Sequence, residues 1–516
     1  RMKTNPPSVS PLELTNRGSS PSFVSAPEPD WIPALGTEDL VREFSLARFG
    51  DRRLNARVAK IVVGAVRNPE TSIPKFAGGA SGAEAVYRLV GNRKVTAEEC
   101  GRAHAECTVE RCADSGPVLV IHDTTTFGYG KDTKRVGLGE IGGGGVGFSA
   151  HISLCVAERT RRPLGVVECL NIARPNQYKS KPGSGNRRPR AKKRRRASGE
   201  EPSVEGSRWY KQALEAGKRL KGIEHMHVAD RESDDYKYLA ALDAAGEKFV
   251  TRVNQDRLLS KGRWLFPAMN DLTVQTSREV TLQRRGEPPS PRARKTYPIR
   301  QERQAVLVIA AGSFTLPRPV RAPNSLAKCV RLNFVMVREV NVPDGMEPVV
   351  WRLVTNLPVD TIEQILRVVD IYRMRWTVED FFKALKSGCK FNDHQLESYT
   401  ALCKLLAILL VAAWKLLEVR TLARTHPEAP ATEVLSHRQI RCLRALHDAQ
   451  HPKAKLPDQI TIKRAMYAIA ALGGHFKHNG DPGWHTLGHG LNRLWQAESD
   501  ALTLLPVLGV AGPDTG

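Results

Sequence analysis

The chain of 516 residues has no Cys-x2-Cys pair and no Cys/His cluster at zinc spacing. Its nine cysteines are scattered, which argues against a zinc module. They read as reduced, cytosolic thiols. Long apolar runs are missing too. The longest strong one, Leu405 to Trp414, has ten residues between Lys404 and Lys415. A spanning helix needs about 20, so no membrane partner is expected. No signal peptide is visible, and Arg1 before Met2 leaves open an added residue or a fragment start. No internal repeat appears, which excludes a solenoid or an array. Acids are scarce relative to bases: 54 Asp and Glu stand against 78 Lys and Arg, a net charge of +24. With a pI near 9.8, that balance implies a polyanionic partner. Ten cations crowd into Lys179 to Arg196 with no acid among them, and subtracting these ten from +24 still leaves +14. The excess therefore belongs to the whole chain. Hydrophobic residues make up 41% of the sequence, enough for globular cores in two to four domains.

The stretch Tyr372 to Lys386 contains neither Gly nor Pro and reads as one helix. At about 100° per residue, Tyr372, Arg375, Glu379, Lys383 and Lys386 fall within a sector of roughly 80°. Ile371, Met374, Val378, Phe381, Phe382 and Leu385 form an apolar sector beside it. One face goes to a core, and next to it stands a carboxylate among three cations and a phenol. That set suits a metal and an anionic ligand such as a nucleic-acid phosphate. On the residues alone, the commoner reading is a solvated face held by ion pairs.

Two upstream strands end in Asp. Val118 to Ile121 is an apolar, β-branched run leading to Asp123 in Asp123-Thr-Thr-Thr126. Glu224 to Ala229 is a second, shorter run that leads to Asp230-Arg231-Glu232. Alone, each Asp reads as a helix cap or a turn former. Together with Tyr372-x2-Arg375-x3-Glu379-x6-Lys386, they resemble cut-and-paste DDE transposases of the insertion-sequence-four family, the transposon-five group. The resemblance extends to Arg252, 22 residues after Asp230, and to Trp351, 21 residues before Tyr372. It also takes in Gly50 to Arg57, Ala85 to Leu89 and Ala465 to Gly474, and so covers roughly residues 31 to 500. The segment Gly145 to His151 departs from it, with the single aromatic Phe148 where relatives can carry a Trp pair.

The resemblance implies an α/β fold: an RNase H-like catalytic core with an inserted β-rich subdomain, a helical N-terminal DNA-binding domain and a helical C-terminal domain. The expected layout is a disordered tail over 1–30 and a helical DNA-end-binding domain over 31–105. A catalytic domain follows over 106–425, interrupted by a basic loop at 179–199 and a β insertion at about 256–358. A C-terminal helical dimerisation region over 426–516 ends the chain, its contact made by the stripe Met466, Tyr467, Ile469 and Leu472. Within the catalytic domain, strands are expected at 117–123, 151–157, 163–171 and 226–230, and a Leu/Ala-rich helix at about 399–424.

The resemblance further implies that Asp123, Asp230 and Glu379 are catalytic and bind two Mg²⁺ ions, with Mn²⁺ as a substitute. DNA contacts are expected from Arg53, Arg57 and Arg88 at the element ends. Arg252, Tyr372, Arg375, Lys383 and Lys386 are expected on phosphates near the scissile bond, and Trp351 on a flipped base. Arg231 and Glu232 are expected to shape the site. The implied activity is cut-and-paste transposition: 3′ nicking, hairpin formation and opening, then strand transfer. Double-stranded DNA, both element ends and target, is the expected partner. A homodimer in the DNA complex and a bacterial cytoplasmic, nucleoid-associated location complete the expectation. A catalytically silent transposase-derived DNA-binding protein or inhibitor, or an RNase H-like nuclease, is the alternative.

Overall fold

The computed structural model describes residues 14–15, 49, 51–67, 72–130, 133–141, 145–174, 204–260, 262–282, 299, 301–476 and 480–507. Most of the expected tail, and the whole basic run 179–196, lie outside the described residues. A two-residue strand, Leu14–Thr15, precedes helices α1 (Arg52–Arg67), α2 (Ile73–Phe76), α3 (Ala80–Gly91) and α4 (Ala97–Ala113). Strands β1 (Val118–Gly128), β2 (Gly139–Ile141), β3 (Gly145–Ala157) and β4 (Pro163–Ile172) follow. Then come α5 (Val204–Arg219), β5 (His225–Ala229), α6 (Tyr236–Ala244), β6 (Lys248–Arg252) and α7 (Leu265–Asn270). Next are β7 (Val274–Leu282), β8 (Arg303–Pro317), β9 (Cys329–Val340) and β10 (Val350–Thr355). The last elements are α8 (Ile362–Met374), α9 (Thr377–Lys383), α10 (Tyr399–Thr425), α11 (His437–Gln450), α12 (Ile462–Leu472) and α13 (Trp484–Val507). The fold is mixed α/β.

The chain divides into two compact units. The first comprises Trp209–Leu214 and Met226–Trp376; the second lies within Asp30–Arg208, Glu215–His225 and Thr377–Gly516.

In the first unit the strand order is β7-β8-β9-β10-β6-β5. β5 and β6 are parallel, Val228 opposite Val250, and every other pair is antiparallel. The β-rich stretch expected as an insertion therefore continues the sheet, since β10 pairs with β6 at Leu353 opposite Arg252. α6 and α7 cover the sheet around Tyr238, Leu239, Phe249, Met269 and Phe334. α8 starts from a capping box in which Thr361 and Gln364 satisfy each other's backbone N–H groups.

In the second unit β1 pairs with β3, and β3 with β4, all antiparallel. Side chains alternate across β1. Val118 and Val120 join Cys155, Leu164, Ala216 and Leu220 in one core layer. α10 runs through the middle of this unit. Its ten-residue apolar stretch belongs to a helix of 27 residues, long and apolar enough by length and composition to cross a membrane. Most of that helix is instead buried in protein: 94% of its most apolar window is covered. Its buried charged residues Lys404, Lys415 and Glu418 are matched. Lys404 Nζ donates to the carbonyls of Val90 and Asn92 at 2.8 and 2.9 Å, which docks α3. Glu418 accepts from Arg162 Nε at 2.8 Å and from Lys415 Nζ at 2.6 Å. The N-terminal helices thus share a unit with α10.

Two expectations are corrected. The stretch Tyr372 to Lys386 is not one helix. α8 ends with i→i−3 bonds from Arg375 and Trp376, α9 restarts at Thr377, and Ala384–Gly388 widens into a π turn. The stripe Met466, Ile469 and Leu472 does not face outward for a partner. It is buried within the chain, where α12 packs on α10, α11 and α13. Tyr467 is spoken for as well, its hydroxyl donating to Asp481 at 2.9 Å.

Candidate active site

Asp123 sits mid-way along β1, opposite Ile152 of β3. Its carboxylate is half-buried, and Oδ1 accepts the Thr124 N–H at 2.7 Å. α9 packs on β1 and carries Glu379 in its first turn, also half-buried. The backbone therefore brings these two predicted carboxylates onto adjoining elements. Lys386, in the π turn, rests its ammonium 5.5 Å from the Phe127 ring centroid. Burial lowers the Lys386 pKa, and the Glu379 charge opposes that shift. Lys383 turns aside to pair with Asp380 at 2.9 Å and is 49% exposed.

The first unit gathers a second group. Asp230 follows β5 and takes the cap role that its position allowed, accepting from the Glu232 N–H at 2.8 Å. Its carbonyl is held by Ser233 Oγ at 2.8 Å and Thr251 Oγ1 at 2.9 Å. Sequence reading missed both hydroxyls. Thr251 lies on β6 and reaches Asp230 only through strand pairing. Arg252, next along β6, donates to the Val350 carbonyl at 3.2 Å. Tyr372 is buried, and burial raises its pKa against the pull of Arg375 and Arg252, while the Asp230 charge adds to the rise. Trp351 meets Tyr372 edge to face, with centroids 5.5 Å apart and planes at 72°. The indole is only 3% exposed, and Arg375 only 7%. Arg231 is half-buried and Glu232 exposed. Asp230, Arg252, Trp351, Tyr372 and Arg375 thus share one unit, while Asp123, Glu379, Lys383 and Lys386 share the other.

Arg53 and Arg57 are exposed on α1, over the buried Val58, Ile61 and Val62. Arg88 is exposed on α3 and paired with Glu84 one turn away. A further donor pair, His227 Nε2 in the middle of β5 and Glu247 Oε2 just before β6, is 3.3 Å apart. It contains none of the predicted carboxylates.

The donor set fits a divalent metal. Hard carboxylate oxygens suit Mg²⁺ or Mn²⁺, and Asp123 and Glu379 keep partial exposure. Residues 40–95 match the family model described as transposase DNA-binding, and residues 207–414 match the transposase DDE domain. The first match contains Arg53, Arg57 and Arg88; the second contains Asp230 and Glu379 and begins after Asp123. Among solved structures, a piggyBac transposase synaptic complex with hairpin DNA is similar at 9% identity and TM-score 0.34. That alignment covers 93% of this chain and 84% of the other. DDE transposases use divalent metal ions, and this chain carries a transposase DNA-binding domain followed by a transposase DDE domain: it is a DDE transposase, an enzyme that acts on DNA.

Proposed function

We propose that this transposase moves an element of the insertion-sequence-four kind by cut-and-paste, with Asp123, Asp230 and Glu379 as the residues that hold its divalent metal ions. The observation that carries the reading is that Asp123 and Glu379, both half-buried, stand on a strand and a helix that pack together. Asp230, within the residues that match the DDE domain, is the third carboxylate of this reading. Bound Mg²⁺ or Mn²⁺ would supply charge stabilisation for the attacking and leaving oxygens of an in-line phosphoryl displacement.

The chain's own residues do the holding. Lys386 and the more exposed Lys383 meet backbone phosphate from the α9 side. Arg252 does so beside Asp230, with Tyr372 and Arg375 packed around it. Arg53, Arg57 and Arg88 grip the element ends; phosphate contacts of this kind set register without reading bases. The order of steps is nicking by water, attack of the freed 3′-OH on the opposite strand, hairpin opening by water, and joining to target. Two copies act together, each holding one end, on a surface other than the buried α12 stripe. Action on the cell's own DNA would place the protein in the cytoplasm at the nucleoid.

A supercoiled-plasmid excision assay with native element ends and Mg²⁺ tests the reading. Wild-type protein should release the element, while Glu379→Ala should bind ends and release nothing. Excision by Glu379→Ala would overturn the assignment. End binding without excision by the wild type would instead favour a silent derivative. Cleavage independent of the ends would favour a nuclease.

A further inference from the structure

We infer that Arg208 is a positioning residue for Asp123 and acts through Thr124. The inference rests on the reading of Asp123 as a metal ligand. β1 has two faces. Asp123 and Phe127 look towards the α9 side, where Lys386 covers Phe127. Thr124 and His122 look the other way, the side on which Val118 and Val120 meet α5. Thr124 belongs to both: its backbone N–H holds the Asp123 carboxylate at 2.7 Å, and its side chain is fixed on the opposite face.

That fixing is specific. Arg208, on α5, donates Nε–H to Thr124 Oγ1 at 3.1 Å. His151 Nδ1 lies 2.8 Å from the same oxygen. His151 is fully buried, and burial together with the Arg208 charge pulls its pKa down to about 3. The hydroxyl therefore accepts from Arg208, which can only donate, while it is also hydrogen-bonded to His151 Nδ1, and each bond polarises the other. His122 packs against His151 with ring centroids 6.2 Å apart, its own Nδ1 2.9 Å from Ser153 Oγ. A polar layer under β1 therefore anchors Thr124 on that face, and through its Cα restrains the backbone amide that holds Asp123. A carboxylate aimed wrongly binds metal less well, so the effect should appear in metal dependence.

The test is single-turnover nicking of labelled element-end DNA by the full chain, titrated with Mg²⁺. Thr124→Val keeps the shape and removes the hydroxyl. It should slow nicking about ten- to hundredfold and raise the half-saturating Mg²⁺ by about tenfold, with metal-free end binding unchanged. Thr124→Ser should stay within about threefold of wild type. Arg208→Ala should resemble Thr124→Val and recover in part with added guanidinium. Wild-type nicking and metal dependence in Thr124→Val would overturn the inference, as would Ser and Val variants that are equally impaired. If the Val variant fails to fold by circular dichroism, Arg208→Ala decides, and no recovery with guanidinium overturns the inference. Asp123→Asn separates the two levels. Full nicking by Asp123→Asn removes the metal-ligand reading itself. A dead Asp123→Asn beside a wild-type-like Thr124→Val removes only the role of Arg208.

Discussion

Trp351→Ala should weaken the fold and slow nicking and hairpin formation to the same extent. The family pattern places this indole on a flipped base, where its removal would slow only the hairpin step. The geometry argues otherwise. Trp351 is 3% exposed, sits on β10 opposite Val337, and meets Tyr372 edge to face at 5.5 Å. Truncating a buried Trp to Ala costs about 3–5 kcal/mol. A base stack is worth about 1–3 kcal/mol. The packing loss is the larger of the two, and it acts on both steps because Tyr372 and Arg252 lose their backing. Trp351→Phe keeps an aromatic partner for Tyr372, a contact worth about 0.5–1.5 kcal/mol, and should fall between Ala and wild type. Denaturant unfolding gives the stability change. A time course on end-labelled DNA, on samples matched for folded protein, gives the two rates. Accumulation of nicked DNA before hairpin, with stability unchanged, would refute the burial argument and restore the indole to the DNA.

Two predictions concern the scaffold. Glu418→Gln leaves Arg162 and Lys415 buried without their carboxylate and should cost about 3–5 kcal/mol at neutral pH. Burial opposes ionisation of Glu418, but Lys415 and Arg162 outweigh it and lower its pKa, so the stabilisation is present above about pH 4.5 and lost as pH falls through the folded value. The gap between the two proteins in urea unfolding should therefore narrow in acid, and a gap equal at pH 7 and pH 4 would refute the pairing. Gly490→Ala should lower the thermal midpoint although Ala is the better helix former, because a Cβ there overlaps the Ile469 carbonyl where α12 and α13 cross. An unchanged or raised midpoint would show that the crossing has room for a methyl group.

What was legible in the sequence, and what was not, follows the range of the forces involved. The strand that carries Asp123 was visible from its β-branched run, but it continues to Gly128. Thr124 to Phe127 are held there by pairing with Phe148 to His151, more than twenty residues away. The wheel over Tyr372 to Lys386 put Ile371, Val378, Phe381, Phe382 and Leu385 in the core, where they lie, but it also put the buried Tyr372 and Arg375 on the polar face, and it assumed one unbroken axis. The i→i−3 bonds at Arg375 and Trp376 and the π turn after Lys383 break that axis, and no Gly or Pro marks the place. The hydroxyls on the Asp230 carbonyl, and the Arg208 and His151 contacts to Thr124, arrive from other elements and leave no local pattern.

The α12 stripe makes the same point from the other side. Amphipathic spacing at Met466, Ile469 and Leu472 says that the face must be covered, because exposed apolar area is costly. It does not say by what. The family pattern assigned that cover to a second copy, and the fold assigns it to α10, α11 and α13 of the same chain. A dimer contact, if two copies hold two ends, must therefore come from residues that the chain's own packing leaves outside.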